Sequence, residues 1–228
     1  MNQSLLDRLY VSLPNGLGRN ISTNVIVKRL TLPEMSPALH TSWVEAVLDA
    51  NPMLWPGTVL GTAIEPPPDF GSVLANWMAE ESLSLEHTLL NSRLLACEGS
   101  MFHHDTDHAE YQSCAFSALW LEDDAPWDLV FPLTGLRIPL EQGTVVMFDT
   151  ANIHGVVKRG AEAFCEDDFA ECGFQMFFST DHQYTSASLR AKMGVEIYPE
   201  NHFSGRASLQ RATSSSDKFC PFTGRLSL

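Results

Sequence analysis

Apolar positions along the chain follow two periods. Between Pro33 and Pro52, PEMSPALHTSWVEAVLDANP spaces Leu39, Trp43, Val44, Val47 and Leu48 three and four apart, which predicts an amphipathic helix. DFGSVLANWMAEESL does the same with Val73, Leu74, Trp77 and Met78, and Asp69 is its expected N-cap. PGTVLGTAIEPPPD, lying between them, predicts a short strand ending in a proline-rigid turn. From about Leu89 the period shortens. HTLLNSRLLACEG, CAFSALWLED, WDLVFPLTGLRIPL, GTVVMFDT, HGVVK and GFQMFFST are short strand-like runs set apart by Gly, Pro and Asp. Strands at this cadence behind packing helices predict a mainly β fold with flanking helices, a sandwich or barrel with Trp120 and Trp127 in its core. From Asp181 onward a helix-plus-loop extension is expected.

Composition narrows this picture. With 228 residues, 44% of them hydrophobic, the chain has enough material for a sizeable core, and one domain is expected. Its apolar runs are far shorter than the roughly 18 residues of a membrane span. The opening MNQSLLDRLYVSLPNG has no basic region followed by an apolar stretch, so a soluble, cytoplasmic protein without a membrane partner is expected. Cys97, Cys114, Cys165, Cys172 and Cys220 form no CxxC pair, which favours reduced thiols over a disulfide framework or a cysteine-zinc site. The formal charge of −14, with basic residues scattered, removes most of the electrostatic drive for nucleic-acid binding. Nothing in the sequence indicates an oligomeric state.

The chemistry concentrates in MFHHDTDHAEY, residues 101–111. On a strand, His103 and Asp105 share one side while His104 faces the other. A second imidazole, His154, follows the strand GTVVMFD and a short polar turn. Two histidines and one carboxylate on one side of an iron ion form a facial triad that leaves three positions open. A lone His-x-Asp also arises by chance in solvated loops, so the distal histidine matters to the reading.

CEGSMFHHD resembles the entry to the H-x-D motif of the 2-oxoglutarate and Fe(II)-dependent oxygenases, especially their prolyl-hydroxylase-like branch. IPLEQGTVVMFDTANIHGVVKRG is similar to the block that carries that family's distal histidine, 49 residues beyond Asp105. The resemblance covers roughly residues 88–180 and implies a double-stranded β-helix (jelly-roll, cupin-like) core there, with residues 1–87 as N-terminal support and 181–228 as an extension. It also implies that His103, Asp105 and His154 hold Fe(II) as the catalytic ligands, with 2-oxoglutarate and O2 as co-substrates. The reaction implied is hydroxylation of a small-molecule or amino-acid-like substrate with release of succinate and CO2. A carboxylate at Asp105 points to hydroxylation, desaturation or ring formation rather than halogenation.

The family also requires a cation for the far carboxylate of 2-oxoglutarate, commonly on the strand after the distal histidine, yet GFQMFF contains none. Arg159 is the first candidate, for its planar fork, and Lys158 the second. Arg93 and Arg206 are outside candidates, and a basic surface turn is the plain reading of VKRG. Tyr111 is a candidate hydrogen-bonding residue at the start of the next strand, and Asp107 and His108 are candidates for a rim, for contacts behind the ligands, or for substrate. AEAFCEDDFAEC, residues 161–172 with Phe164 and Phe169, is either a lid or an acidic surface loop, and Asp149 either takes a similar place near the ligands or simply stops its strand and caps the turn. Two other readings stand beside this one. His103-x-Asp105-x-Asp107-His108 is one substitution from the metal-binding run of metallo-β-lactamase-like zinc hydrolases, and a non-catalytic β-helix binding module is the alternative without chemistry.

Overall fold

The computed structural model describes residues 6–50, 57–83, 88–123, 126–168, 173–210 and 219–226. Eight consecutive strands build the centre: β5 (Thr88–Cys97), β6 (Ser100–His103), β7 (Cys114–Trp120), β8 (Trp127–Phe131), β9 (Leu136–Pro139), β10 (Thr144–Asp149), β11 (His154–Lys158) and β12 (Gln175–Gln183). β5, β7, β10 and β12 enter one sheet, and β6, β8, β9 and β11 the other. The larger sheet gains β3 (Val25–Arg29) and β4 (Val59–Gly61) at its edges, in the order β3-β10-β7-β12-β5-β4. The smaller runs β6-β11-β8-β9. All these pairings are antiparallel, and a chain winding back and forth between two facing sheets in this order is a double-stranded β-helix.

The two-residue period of the strands explains why there are two cores. Val145, Met147, Leu119, Ala115, Met176 and Phe178 project from the outer face of the larger sheet. They pack against helix α1 (Pro37–Ala50) and helix α2 (Pro68–Glu80) through Trp43, Val47, Phe70, Leu74, Trp77 and Met78. Val146, Phe148, Ala118, Trp120 and Phe177 alternate with them and meet Trp127, Leu129, Phe131 and Val156 of the smaller sheet.

Helix boundaries differ in detail from the expectation. α1 begins at Pro37 because Ser36 caps it, its Oγ accepting from the Leu39 N–H at 3.2 Å, and Leu48 turns outward at 44% exposure. Asp69 is not the N-cap of α2. That place falls to Pro67, and Asp69 sits in the first turn, where its charge suits the helix dipole. The C-terminal stretch forms helix α3 (Ala187–Met193), with Ser186 as its cap and Gly194 in the left-handed region at its end. It then adds β13 (Ile197–Pro199) and β14 (Ala207–Ser208), which join β2 (Leu17–Arg19) and β1 (Leu9–Leu13) in a separate sheet of order β13-β2-β1-β14. No helix among the described residues is long and apolar enough to cross a membrane. The four described cysteines are free thiols, and Cys172 lies outside the described residues.

Arg19, at the end of β2, carries this N-terminal sheet to the centre. Its guanidinium donates to both oxygens of Asp149 at 2.8 Å, with both side chains fully buried. It also donates to the carbonyls of Gln112 at 2.7 Å and Asn20 at 3.1 Å, and stacks on Tyr184 at 5.1 Å. Removing one partner of such a pair strands the other charge in the interior. Arg19→Met is therefore expected to cost about 3–5 kcal/mol of folding stability, read as a lowered midpoint in urea denaturation.

Candidate metal centre

Strand pairing makes the centre. β6 and β11 run antiparallel with His103 and His154 as direct partners, and the register shifts by a bulge immediately after His154. The two imidazoles lie 4.4 Å apart between centroids. Gly155 makes the close approach possible, since a Cβ there would sit 3.0 Å from the Phe102 ring. After β6 the chain turns tightly, with the His108 N–H donating to the Asp105 carbonyl at 3.1 Å. The Asp105 N–H donates to the Thr150 carbonyl at 2.9 Å, which ties the H-x-D turn to the turn before the distal histidine.

Asp149 orders that second turn. Besides both arms of Arg19, its carboxylate accepts from the backbone N–H groups of Ser22 at 2.8 Å and Ala151 at 3.1 Å. The Thr150 hydroxyl donates to the Tyr111 and Cys114 carbonyls at 2.6 and 2.9 Å.

His103, Asp105 and His154 each offer one ligand atom, and these lie within 4.8 Å of one another. Asp105 Oδ1 is 3.3 Å from His103 Nε2, and Oδ2 is 3.9 Å from His154 Nε2. The opposite ring nitrogens are engaged with backbone: His103 Nδ1 with the Met101 carbonyl at 2.7 Å and His154 Nδ1 with the Asn152 carbonyl at 2.8 Å. A carbonyl accepts only from N–H, so each Nδ1 carries a proton and each Nε2 is the nitrogen turned toward a metal. Burial and the neighbouring His103 push His154 down to about 4, so it is a neutral imidazole at pH 7. Burial opposes the charge on Asp105, but His154 and His103 hold it below its usual range. Burial opposes the charge on His103 as well, but the Asp105 carboxylate beside it raises it above its ordinary value, so a metal would take the place of a proton there. Two imidazoles and a carboxylate on one side fit a divalent iron ion.

The triad opens into a cavity of about 700 Å³ between the sheets, within the usual range for small-molecule sites. Phe116, Ala118, Trp120, Leu129, Phe148, Phe177 and Val156 form its apolar walls. Polar groups enter from Arg93, Ser179, Asp181, Tyr111, His108 and Thr62.

The structure separates the sequence candidates. Tyr111 lines the cavity, but from a tight helical turn over Ala109–Tyr111 rather than from β7, which starts at Cys114. His108 lines it as well, whereas Asp107 is exposed and does not. His104 faces away, buried against Phe219 with Thr106 Oγ1 at 3.1 Å from its Nδ1. Asp107, His104 and His108 stand outside the group of ligand atoms among the described residues, which removes the basis for the zinc-hydrolase reading.

Lys158 and Arg159 do not line the cavity. Lys158 pairs with Asp168 at 3.3 Å, and Arg159 with Asp128 at 3.3 Å and Glu141 at 3.8 Å. The reason is that β11 continues past His154 and carries both to its far end. Arg206 lies over the Phe203 ring, away from the cavity, and Arg93 is the one Lys or Arg among the described lining residues. Residues 161–168 do not line the cavity either. Phe164 is buried in the inner core and its N–H donates to the Phe222 carbonyl at 2.8 Å, while Phe169 and residues 170–172 lie outside the described residues. Asp181, read from sequence as the start of the tail, belongs to β12. Extending the alternation Gln175, Phe177, Ser179 by one step reaches it.

No family model matches the chain, and no curated protein sequence does. Among solved structures, the chain is similar to a viral collagen prolyl hydroxylase from Paramecium Bursaria Chlorella virus-1, with 10% identity and a TM-score of 0.43 over 70% of this chain and 89% of that one. A prolyl hydroxylase from Trichoplax adhaerens, in complex with a hypoxia inducible factor peptide fragment, aligns with 10% identity and a TM-score of 0.41 over 71% and 84%. HygX from Streptomyces hygroscopicus, with nickel and 2-oxoglutarate bound, aligns with 11% identity and a TM-score of 0.39 over 72% and 84%.

Asp105→Ala is expected to weaken anaerobic Fe(II) binding at least about tenfold, and Asp107→Ala to leave it close to wild type. Equal losses in equilibrium metal titrations would assign the wrong carboxylate.

Proposed function

We propose that the chain is a non-haem Fe(II) and 2-oxoglutarate-dependent oxygenase that hydroxylates a small-molecule or amino-acid-like substrate, releasing succinate and CO2. One observation carries the reading: two imidazole Nε2 atoms and a carboxylate converge on the wall of a cavity of about 700 Å³ in a double-stranded β-helix. Fe(II), when bound, supplies the oxygen chemistry that no side chain offers. His103, Asp105 and His154 would hold it, and the cavity beside them gives 2-oxoglutarate room to reach it. The backbone carbonyls of Met101 and Asn152 keep both imidazoles in the tautomer and orientation that this requires. Phe148, with its ring 4.5 Å from that of His154, and Trp120 with Phe177 exclude water from the space beside the triad.

Arg93 is the group we assign to the far carboxylate of 2-oxoglutarate. It projects from β5 into the cavity directly opposite Ser179 of β12, so a guanidinium and a hydroxyl share one level of the barrel. Its protein partner, Glu65, is 71% exposed with an Oε1 at 3.2 Å, and such a solvated pair yields readily to a bidentate carboxylate.

Anaerobic addition of Fe(II) and 2-oxoglutarate should produce a weak visible charge-transfer band, and admission of air should yield succinate in proportion to iron. Arg93→Gln is expected to raise the KM for 2-oxoglutarate about tenfold or more, and Arg159→Gln to leave it unchanged. The reverse pattern would return the role to Arg159, and absence of both band and succinate would remove the oxygenase reading.

A further inference from the structure

Resting on that oxygenase reading, we propose that Asp181 anchors the substrate, and that the group it takes is a cationic nitrogen, the ammonium or guanidinium of a small basic molecule. On β12 the side chains of Phe177, Ser179 and Asp181 reach the cavity in turn. Asp181 pairs across β7 with Phe116, two residues from the strand end where Gln183 meets Cys114. That end of β7 lies beside Tyr111 and the Thr150 turn, the same turn that holds Asp105. Asp181 is therefore at the triad end of the cavity, one step past Ser179 and Arg93.

Asp181 Oδ1 is buried, yet it has no hydrogen-bond partner among the described residues. A carboxylate oxygen withdrawn from water and left unpaired is costly, and proteins retain such groups where a ligand completes them. The described charges around it do not neutralise it. Burial, then Asp105 and Glu110, raise it to about 6, so the surroundings are negative. Arg93 forms its ion pair with Glu65 rather than with Asp181. An N–H donor bearing positive charge answers both deficits at once, supplying the missing hydrogen bond and the missing counter-charge. Tyr111 and Phe116 add aromatic surface to the same cavity, which also suits a cation. An anionic or nucleotide-like substrate would meet the opposite field.

The test is calorimetric titration of the anaerobic protein loaded with Fe(II) and 2-oxoglutarate. The probes are L-arginine, L-lysine and butylguanidine, each beside a counterpart in which that nitrogen is uncharged: citrulline, Nε-acetyl-lysine and butylurea. Wild type should bind at least one cation about ten- to a hundredfold more tightly than its counterpart. Asp181→Asn should lose that preference, and Asp181→Glu, which keeps the charge, should retain a good part of it. Equal affinity for cation and counterpart, binding of no cation in the panel, or a preference that survives in Asp181→Asn overturns the proposal. Iron-dependent succinate formation by wild type without any probe reports on the oxygenase reading separately, so the two can fail independently.

Discussion

The buried contact between Arg19 and Asp149 is the constraint on which the centre depends. Asp149 ends β10, and its carboxylate accepts from Arg19, Ser22 and Ala151 together. That holds the turn through Thr150 and Asn152. From this turn come the Asn152 carbonyl that engages His154 Nδ1 and the Thr150 carbonyl that fixes the Asp105 backbone. One ion pair thus positions candidate ligands that lie far apart in sequence. A buried pair of this kind adds little net stability over a well-packed apolar replacement, and its contribution here is position.

The barrel supplies the setting for that geometry. Since side chains alternate across each strand, a single sheet serves α1 and α2 with one face and the cavity with the other. Gly143 shows how tightly the approach to the distal histidine is drawn. Its φ is +80°, and a Cβ would stand 2.1 Å from the Leu30 carbonyl, so only glycine can begin β10 beside β3. The cavity has aromatic walls and a few polar groups at defined levels, Arg93 and Ser179 at one and Asp181 at the next, toward the triad.

Several parts of this arrangement were legible in the sequence for physical reasons. Short apolar runs with period two and glycine or proline breaks describe β-strands wherever they pack, so β5 to β12 were recognisable without knowing their partners. The H-x-D motif was legible as a motif, but Asp105 lies in the turn after β6 and not on the strand, and its backbone is held there by the Thr150 carbonyl. The boundary of α1 was harder to see, because Ser36 decides it through a single hydrogen bond that the longer apolar pattern overrides. β12 was read too short, since its polar end, Asp181 to Gln183, looks like a tail until β5 and β7 pair with it.

By itself, the sequence determined the kinds of element, the two-blocked pattern of candidate ligands and the absence of a cation in GFQMFF. All of these depend on neighbours a few residues apart. Tertiary structure alone decided which charges meet. It took Lys158 and Arg159 out of the cavity and put Arg93 and Asp181 into it, and it joined Arg19 to Asp149 across 130 residues. The physical reason is that strand register sets which side chains share a level of the barrel. Register follows from long-range hydrogen bonding and core packing, which no local pattern encodes.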